Sequence, residues 1–102
     1  MSDGVTITFE MKLKPEAAAM FPQMGPQILA SPSEFAGFRS LRIVQHKDDP
    51  TRIMFIEKWD REEDYKAYIA ERTKGGQMGQ LGQIVESTQT NVWPTVIGEI
   101  SR

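Results

Sequence analysis

Glu57 and Trp59 stand two residues apart in an apolar run, and Tyr65, Tyr68 and Arg72 follow at spacings of three and four. A carboxyl group on an apolar strand face has its pKa raised by desolvation and can take the proton of a phenol or quinol as a general base. The same Glu57 can instead pair with Arg72 or Arg39 and hold strand to helix. Trp59 offers a surface for stacking an aromatic substrate, or serves as a core anchor for the helix that follows. Tyr65 and Tyr68 can donate hydrogen bonds to a substrate carbonyl, or pack their rings with the hydroxyls at the rim. Arg72 can orient an anionic or quinone oxygen, or remain a solvated helix end. Trp59, Glu57 and Tyr68 are therefore the catalytic candidates. Phe9, Phe55, Tyr65, Arg72, Met78 and Leu81 are the substrate-binding candidates, although Met and aromatic residues at such positions also make ordinary core.

Several chemistries are excluded by what is missing. The 102 residues contain no cysteine, which removes disulfides, thiolate metal sites and cysteine nucleophiles together. The single histidine, His46, sits beside a turn and is expected to be exposed, so neither a metal-ligand cluster nor a Ser-His-Asp set can be assembled. Gly75, Gly76, Gly79 and Gly82 do not follow a strand as a nucleotide-binding loop would. Net charge is −2 with acids and bases interspersed, which argues against a nucleic-acid track or an anionic membrane surface. The N-terminus lacks a signal-peptide pattern and no apolar run approaches the ~20 residues of a membrane span. The expectation is a cytoplasmic protein with no metal and no bound cofactor. Its 39% hydrophobic and 25% charged residues suit one soluble domain over residues 1–102.

The candidates need elements to position them. Val5, Ile7, Phe9, Met11 and Leu13 alternate with Thr6, Thr8, Glu10 and Lys12, the period-two pattern of a strand. Pro15 opens a helix, where its missing N–H costs nothing. Pro22, Gly25 and Pro26 predict that this helix is kinked or in two parts, ending near Ala30. Ser31–Glu34 reads as a cap and turn or one short extra turn. A second strand runs from Gly37 to about Lys47, Asp48-Asp49-Pro50-Thr51 forms a turn, and Arg52–Trp59 is the third strand. Asp60 is a plausible N-cap for a helix that reaches about Thr73 and stops at Gly75-Gly76. Its inner stripe is Tyr65, Tyr68, Ile69 and Arg72. A short loose helix over residues 77–86 and a last strand from Thr88 to Ile100, with Pro94 in it, complete the chain.

This β-α-β-β-α-β order, with right-handed crossovers, gives a ferredoxin-like α+β fold: a four-stranded antiparallel sheet with both helices on one face. Met54 and Ile56 lie opposite Phe55 and Trp59, and Val44 opposite Ile43. Apolar groups on both faces call for cover on both, and a second copy of the chain is the economical cover. A homodimer is expected.

Gly37-Phe38, Asp49-Pro50, Glu57-Lys58-Trp59-Asp60 and then Tyr65 and Tyr68 resemble the pattern of the antibiotic biosynthesis monooxygenase (ABM) family over about residues 4 to 100. The resemblance implies a dimeric α/β barrel with a pocket between sheet and helices in each subunit. It also implies an activity among cofactor-independent oxygenases of anthrones or quinols, haem-degrading enzymes, and isomerases. Haem-degrading members pair the Trp matched by Trp59 with an Asn on strand one and a His after the second helix. Here the strand-one position is Phe9, and Lys74–Leu81 contains no His. Many members also carry a His where this chain has Tyr68. The reading is a monooxygenase that works without metal, flavin or haem on a small aromatic substrate of the quinol, anthrone or polyphenol type. An isomerase and a non-catalytic ligand-binding dimer on the same scaffold are the alternatives.

Overall fold

The computed structural model describes residues 4–23 and 32–102; for Gln77, Met78 and Gln80 it describes the backbone alone. Strands β1 (Val5–Leu13), β2 (Phe38–Gln45), β3 (Arg52–Trp59) and β4 (Val85–Trp93) form one sheet in the order β2-β3-β1-β4. All three pairings are antiparallel, with Ile7 opposite both Glu57 and Val92, and Leu41 opposite Glu57. Among the described residues the helices are α1 (Pro15–Ala18), α2 (Glu62–Lys74) and α3 (Gln77–Gly82), with a further helical stretch at 21–23 and a 3-10 turn at Pro32–Glu34 before β2. This is the expected ferredoxin-like α+β architecture.

Side-chain alternation decides which face is core. Val5, Ile7, Met11 and Leu13 of β1 and Ile53, Phe55, Glu57 and Trp59 of β3 are all buried, because the pleat sends every second residue to the helix-covered face. They fall into two clusters. Met11, Leu13, Ile53 and Phe55 pack with Ala17 and Phe21 from the α1 side, and Phe9, Leu41 and Leu81 lie against them. Val5, Ile7 and Trp59 pack with Tyr65 and Tyr68 of α2, flanked by Phe35, Phe38, Ile69 and Val92. Glu57 lies on β3 between Phe55 of one cluster and Trp59 of the other.

Local signals explain most boundaries. Asp49 Oδ1 accepts from Thr51 N (3.0 Å) and Thr51 Oγ1 (2.6 Å), the expected Asx-turn. These two bonds also hold the Asp49 carboxyl below its ordinary pKa. His46 is exposed, as expected, and its Nδ1 accepts from Asp48 N at 3.0 Å. After α1 the chain turns at 19–20 and is helical again at 21–23, so the first helix is broken as Pro22 required; its expected end near Ala30 lies outside the described residues. The α2 C-cap is Gly75, and Gly76 adopts φ +84°.

Three boundaries differ from the sequence reading. The N-cap of α2 is Arg61, in extended conformation and without a side-chain cap bond. Asp60 is drawn away by an ion pair with Arg39. Strand β4 starts at Val85 and ends at Trp93, well short of Ile100. Trp93 pairs with Thr6, almost the first residue of β1, so the ladder runs out of partner where Pro94 also removes a donor. Val96, Ile97 and Ile100 consequently stand in water, the two isoleucines at 98% and 100% exposure. Finally, β2 carries an irregularity: Phe38 pairs with Trp59 and Ser40 with Lys58, leaving Arg39 as an extra residue. The outer sheet face mixes Val44, Met54, Ile56 and Trp93 with polar neighbours, and Trp93 Nε1 donates to Thr8 Oγ1 at 2.9 Å.

Candidate functional site

Residues i and i+2 of a strand share a face, so Glu57 and Trp59 necessarily point together toward α2. There the Trp59 indole Nε1–H donates to Glu57 Oε1 at 3.1 Å. Trp59 is 0% exposed and Glu57 4%. Among the described residues no ion pair joins Glu57 to Arg39, Arg72 or any other cation. Burial raises the Glu57 pKa above the ordinary carboxyl value, and the indole bond opposes that rise. Burial in an apolar surround is what gives a carboxylate added proton affinity, and a hydrogen-bond donor takes part of it back.

The α2 spacing places Tyr65 and Tyr68 on the same inward stripe. Tyr65 has its hydroxyl pushed up to about 12, by burial first and then by the Glu57 charge and Tyr68. Tyr68 meets Trp59 with ring centroids 5.3 Å apart, and Arg72, one turn on, lies over the Tyr68 ring at 5.6 Å. Trp59 is boxed further by Phe38 at 5.4 Å and Tyr65 at 6.0 Å, both edge to face. Thus Glu57, Trp59, Tyr65, Tyr68 and Arg72 are brought together. Phe9 and Phe55 meet edge to face at 5.9 Å in the other cluster, with Leu81 beside them. Met78 lies on α3, but its side chain is outside the described residues.

One aromatic neighbour escaped the sequence reading. Phe35 meets Tyr68 edge to face at 5.0 Å. Its spacing of three from Phe38, between Pro32 and Gly37, was the available signal for an inward-turning pair. A separate cavity of about 310 Å³ lies at the paired β1, β3 and β4 segments around Glu10, Lys12, Arg52 and Gln89, crossed by the Arg52–Glu10 ion pair at 3.4 Å. It includes none of the candidate residues and opens on strand surface rather than beneath α2. Among the described residues no group of three or more His, Cys, Asp or Glu is placed to hold a metal, and no helix is long and apolar enough to cross a membrane.

A four-stranded antiparallel sheet backed by helices, with this Glu-x-Trp strand end, defines the class, and sequence comparison gives the family. The profile described as antibiotic biosynthesis monooxygenase matches residues 4–72; the chain belongs to that family. No curated protein matches it. Among solved structures it is similar to SnoaB, a cofactor-independent oxygenase from Streptomyces nogalater, at TM-score 0.83 and 15% identity, covering 99% of this chain and 100% of that one. A conserved protein from Methanosarcina mazei aligns at TM-score 0.79 and 15% identity, over 91% and 93% of the two chains. Rv0793 from Mycobacterium tuberculosis aligns at 0.78 and 13%, over 97% and 100%. At these identities the structural likeness establishes the shared fold.

Proposed function

We propose that this protein is a homodimeric monooxygenase that oxidises a small flat aromatic substrate of the quinol, anthrone or polyphenol class without metal, flavin or haem. The observation that carries the reading is the buried Glu57 carboxyl, unpaired with any cation among the described residues, at the seam between two aromatic-rich clusters. Family membership and the SnoaB-like fold support it.

In this reading Glu57 takes the phenolic or benzylic proton, its raised pKa bringing it closer to that of its target. The resulting electron-rich anion transfers electrons to dioxygen and forms the carbon–oxygen bond. Loss of water from the hydroperoxide then leaves a carbonyl. For a methylene carbon, one methylene and one dioxygen give one carbonyl and one water. One oxygen atom enters the product, and the other leaves as water with the two hydrogens of the methylene. Tyr68 donates to the substrate oxygen, Arg72 steadies its negative charge, and Phe9, Phe55, Tyr65, Met78 and Leu81 exclude water from the anion.

The dimer reading rests on the outer sheet face and the segment after Trp93. Val44, Met54, Ile56 and Trp93 share that face, and Val96, Ile97 and Ile100 extend beyond it in water. A second copy laid on this face covers both.

Oxygen consumption with a model quinol, undiminished by chelators and lost in Glu57→Gln, is the expected result. Turnover under nitrogen would replace the oxygenase with an isomerase, in which the same carboxyl moves a proton between two substrate carbons. Tight binding without turnover in either gas would leave a binding protein.

A further inference from the structure

We propose that Trp59 is a positioning residue: its indole N–H fixes one oxygen of Glu57, so that the other is presented in a single orientation to whatever the site binds. The proposal rests on the reading of Glu57 as the base and assigns Trp59 a part other than that of a stacking surface.

The geometry has three parts. First, the ring has no room to turn. It is fully buried, with Phe38, Tyr65 and Tyr68 at centroid distances of 5.4, 6.0 and 5.3 Å. A substrate has no open face of this ring to stack on. Second, an indole is a donor only, so a fixed ring means a fixed donor direction, aimed at Oε1 from 3.1 Å. Third, Oε2 accepts no hydrogen bond from any described residue. Holding one oxygen therefore fixes the plane of the carboxyl group and assigns its two oxygens different work.

The bond also sets when Glu57 is a base. A donor to a carboxylate favours the charged form, and charge-assisted bonds are stronger than neutral ones. Among the described residues the other groups facing Glu57 are few. Its strand partners Ile7 and Leu41 do not titrate. From α2 the facing groups are Tyr65 and Tyr68, both phenols, with the Arg72 guanidinium directed over the Tyr68 ring. Among the described residues Trp59 is therefore the donor that favours the ionised carboxyl in an apolar surround.

The chain has two tryptophans, which supplies an internal control. Indole N–H resonances of the full protein are followed by 15N-correlated NMR from pH 4 to pH 9, together with the Glu57 side-chain carboxyl by 13C NMR. The Trp59 signal is expected to move with the Glu57 midpoint and to lose that movement in Glu57→Gln. The Trp93 signal, whose partner is the Thr8 hydroxyl, is expected not to follow it. In Trp59→Phe the Glu57 midpoint is expected to rise by about one pH unit, the worth of one hydrogen bond to a charged group. The acid limb of the turnover profile should rise with it. A Trp59 indole that stays still while the carboxyl titrates overturns the proposal, as does an unchanged midpoint in a folded Trp59→Phe protein. The wild-type and Glu57→Gln spectra decide the matter even where Trp59→Phe does not fold. Absence of quinol turnover in the wild type would instead sink the oxygenase reading, and a moving indole would still establish the hold of Trp59 on the carboxyl.

Discussion

The Arg72 guanidinium lies 5.6 Å from the centre of the Tyr68 ring, one helical turn further along α2. The Tyr68 ring in turn rests on Trp59 and Phe35. A cation above the ring, with aromatic edges around it, holds the phenol in one place and keeps a positive charge beside the site. Removing the hydroxyl while keeping the ring separates these roles. Tyr68→Phe is expected to cost about 1 kcal/mol or less in stability and to lower kcat about tenfold, ~1.4 kcal/mol of barrier. Arg72→Ala is expected to act mainly on KM for an anionic or quinone-like substrate. Steady-state kinetics beside urea melts would check both, and a pure stability loss with intact kinetics would remove the pair from the site.

Glu57 also makes a prediction about pH. Its folded pKa lies above the ordinary carboxyl value of 4.5 because of burial. Between those two values the native state keeps a proton that the unfolded chain has released. Stability contributed at this position therefore falls as pH rises through that window, and the loss persists above it. Glu57→Gln cannot ionise, so the stability difference should move in favour of the variant as pH rises from about 4 upward. Thermal melts of both proteins across the range measure the divergence; parallel curves would mean the carboxyl is not desolvated. Turnover of the variant is expected to drop at least about tenfold.

Two glycines with φ +84° provide a matched pair. A Cβ on Gly37 would collide with the Asp64 carboxyl, whereas one on Gly76 would meet nothing within 4 Å. Gly76→Ala should therefore cost about 1 kcal/mol, the conformational penalty alone. Gly37→Ala adds the collision and should cost about 2 kcal/mol or more. Denaturant midpoints test the ordering, and equal costs would mean that the start of β2 gives way easily.

The self-association reading makes a prediction about mass. Wild-type protein at micromolar concentration should sediment as a dimer. Ile56→Glu, on the outer sheet face, should weaken the association about a hundredfold while leaving the helix-covered core folded. A compact wild-type monomer at that concentration would end the dimer proposal.

The fold was legible wherever one physical rule dominated. Alternation along β1 and β3, glycines at the end of α2 and the Asp49 turn all act within a few residues. What escaped depended on partners distant in sequence. Asp60 has the chemistry of a cap, but Arg39 competes for it across the sheet. Thr88–Ile100 has strand composition, but β1 supplies no residue for it to pair with beyond Trp93. At the site, the grouping of Glu57, Trp59 and the two tyrosines followed from strand and helix periodicities. The indole as the partner of Glu57 did not, since an arginine is the more usual companion of a buried carboxylate and two were within reach in the sequence.

The extra residue at Arg39 matters beyond β2 itself. Phe38 and Leu41 are three apart, an odd number, yet face Trp59 and Glu57 from the same side. An unbroken strand would send one of them outward. Drawing Arg39 into a regular ladder, with no bulge, would force a choice between the aromatic lid on the indole and the aliphatic wall beside the carboxyl. Comparison with any protein that lacks the insertion must therefore shift phase at this point, or every inward position on one side of it will be assigned to solvent.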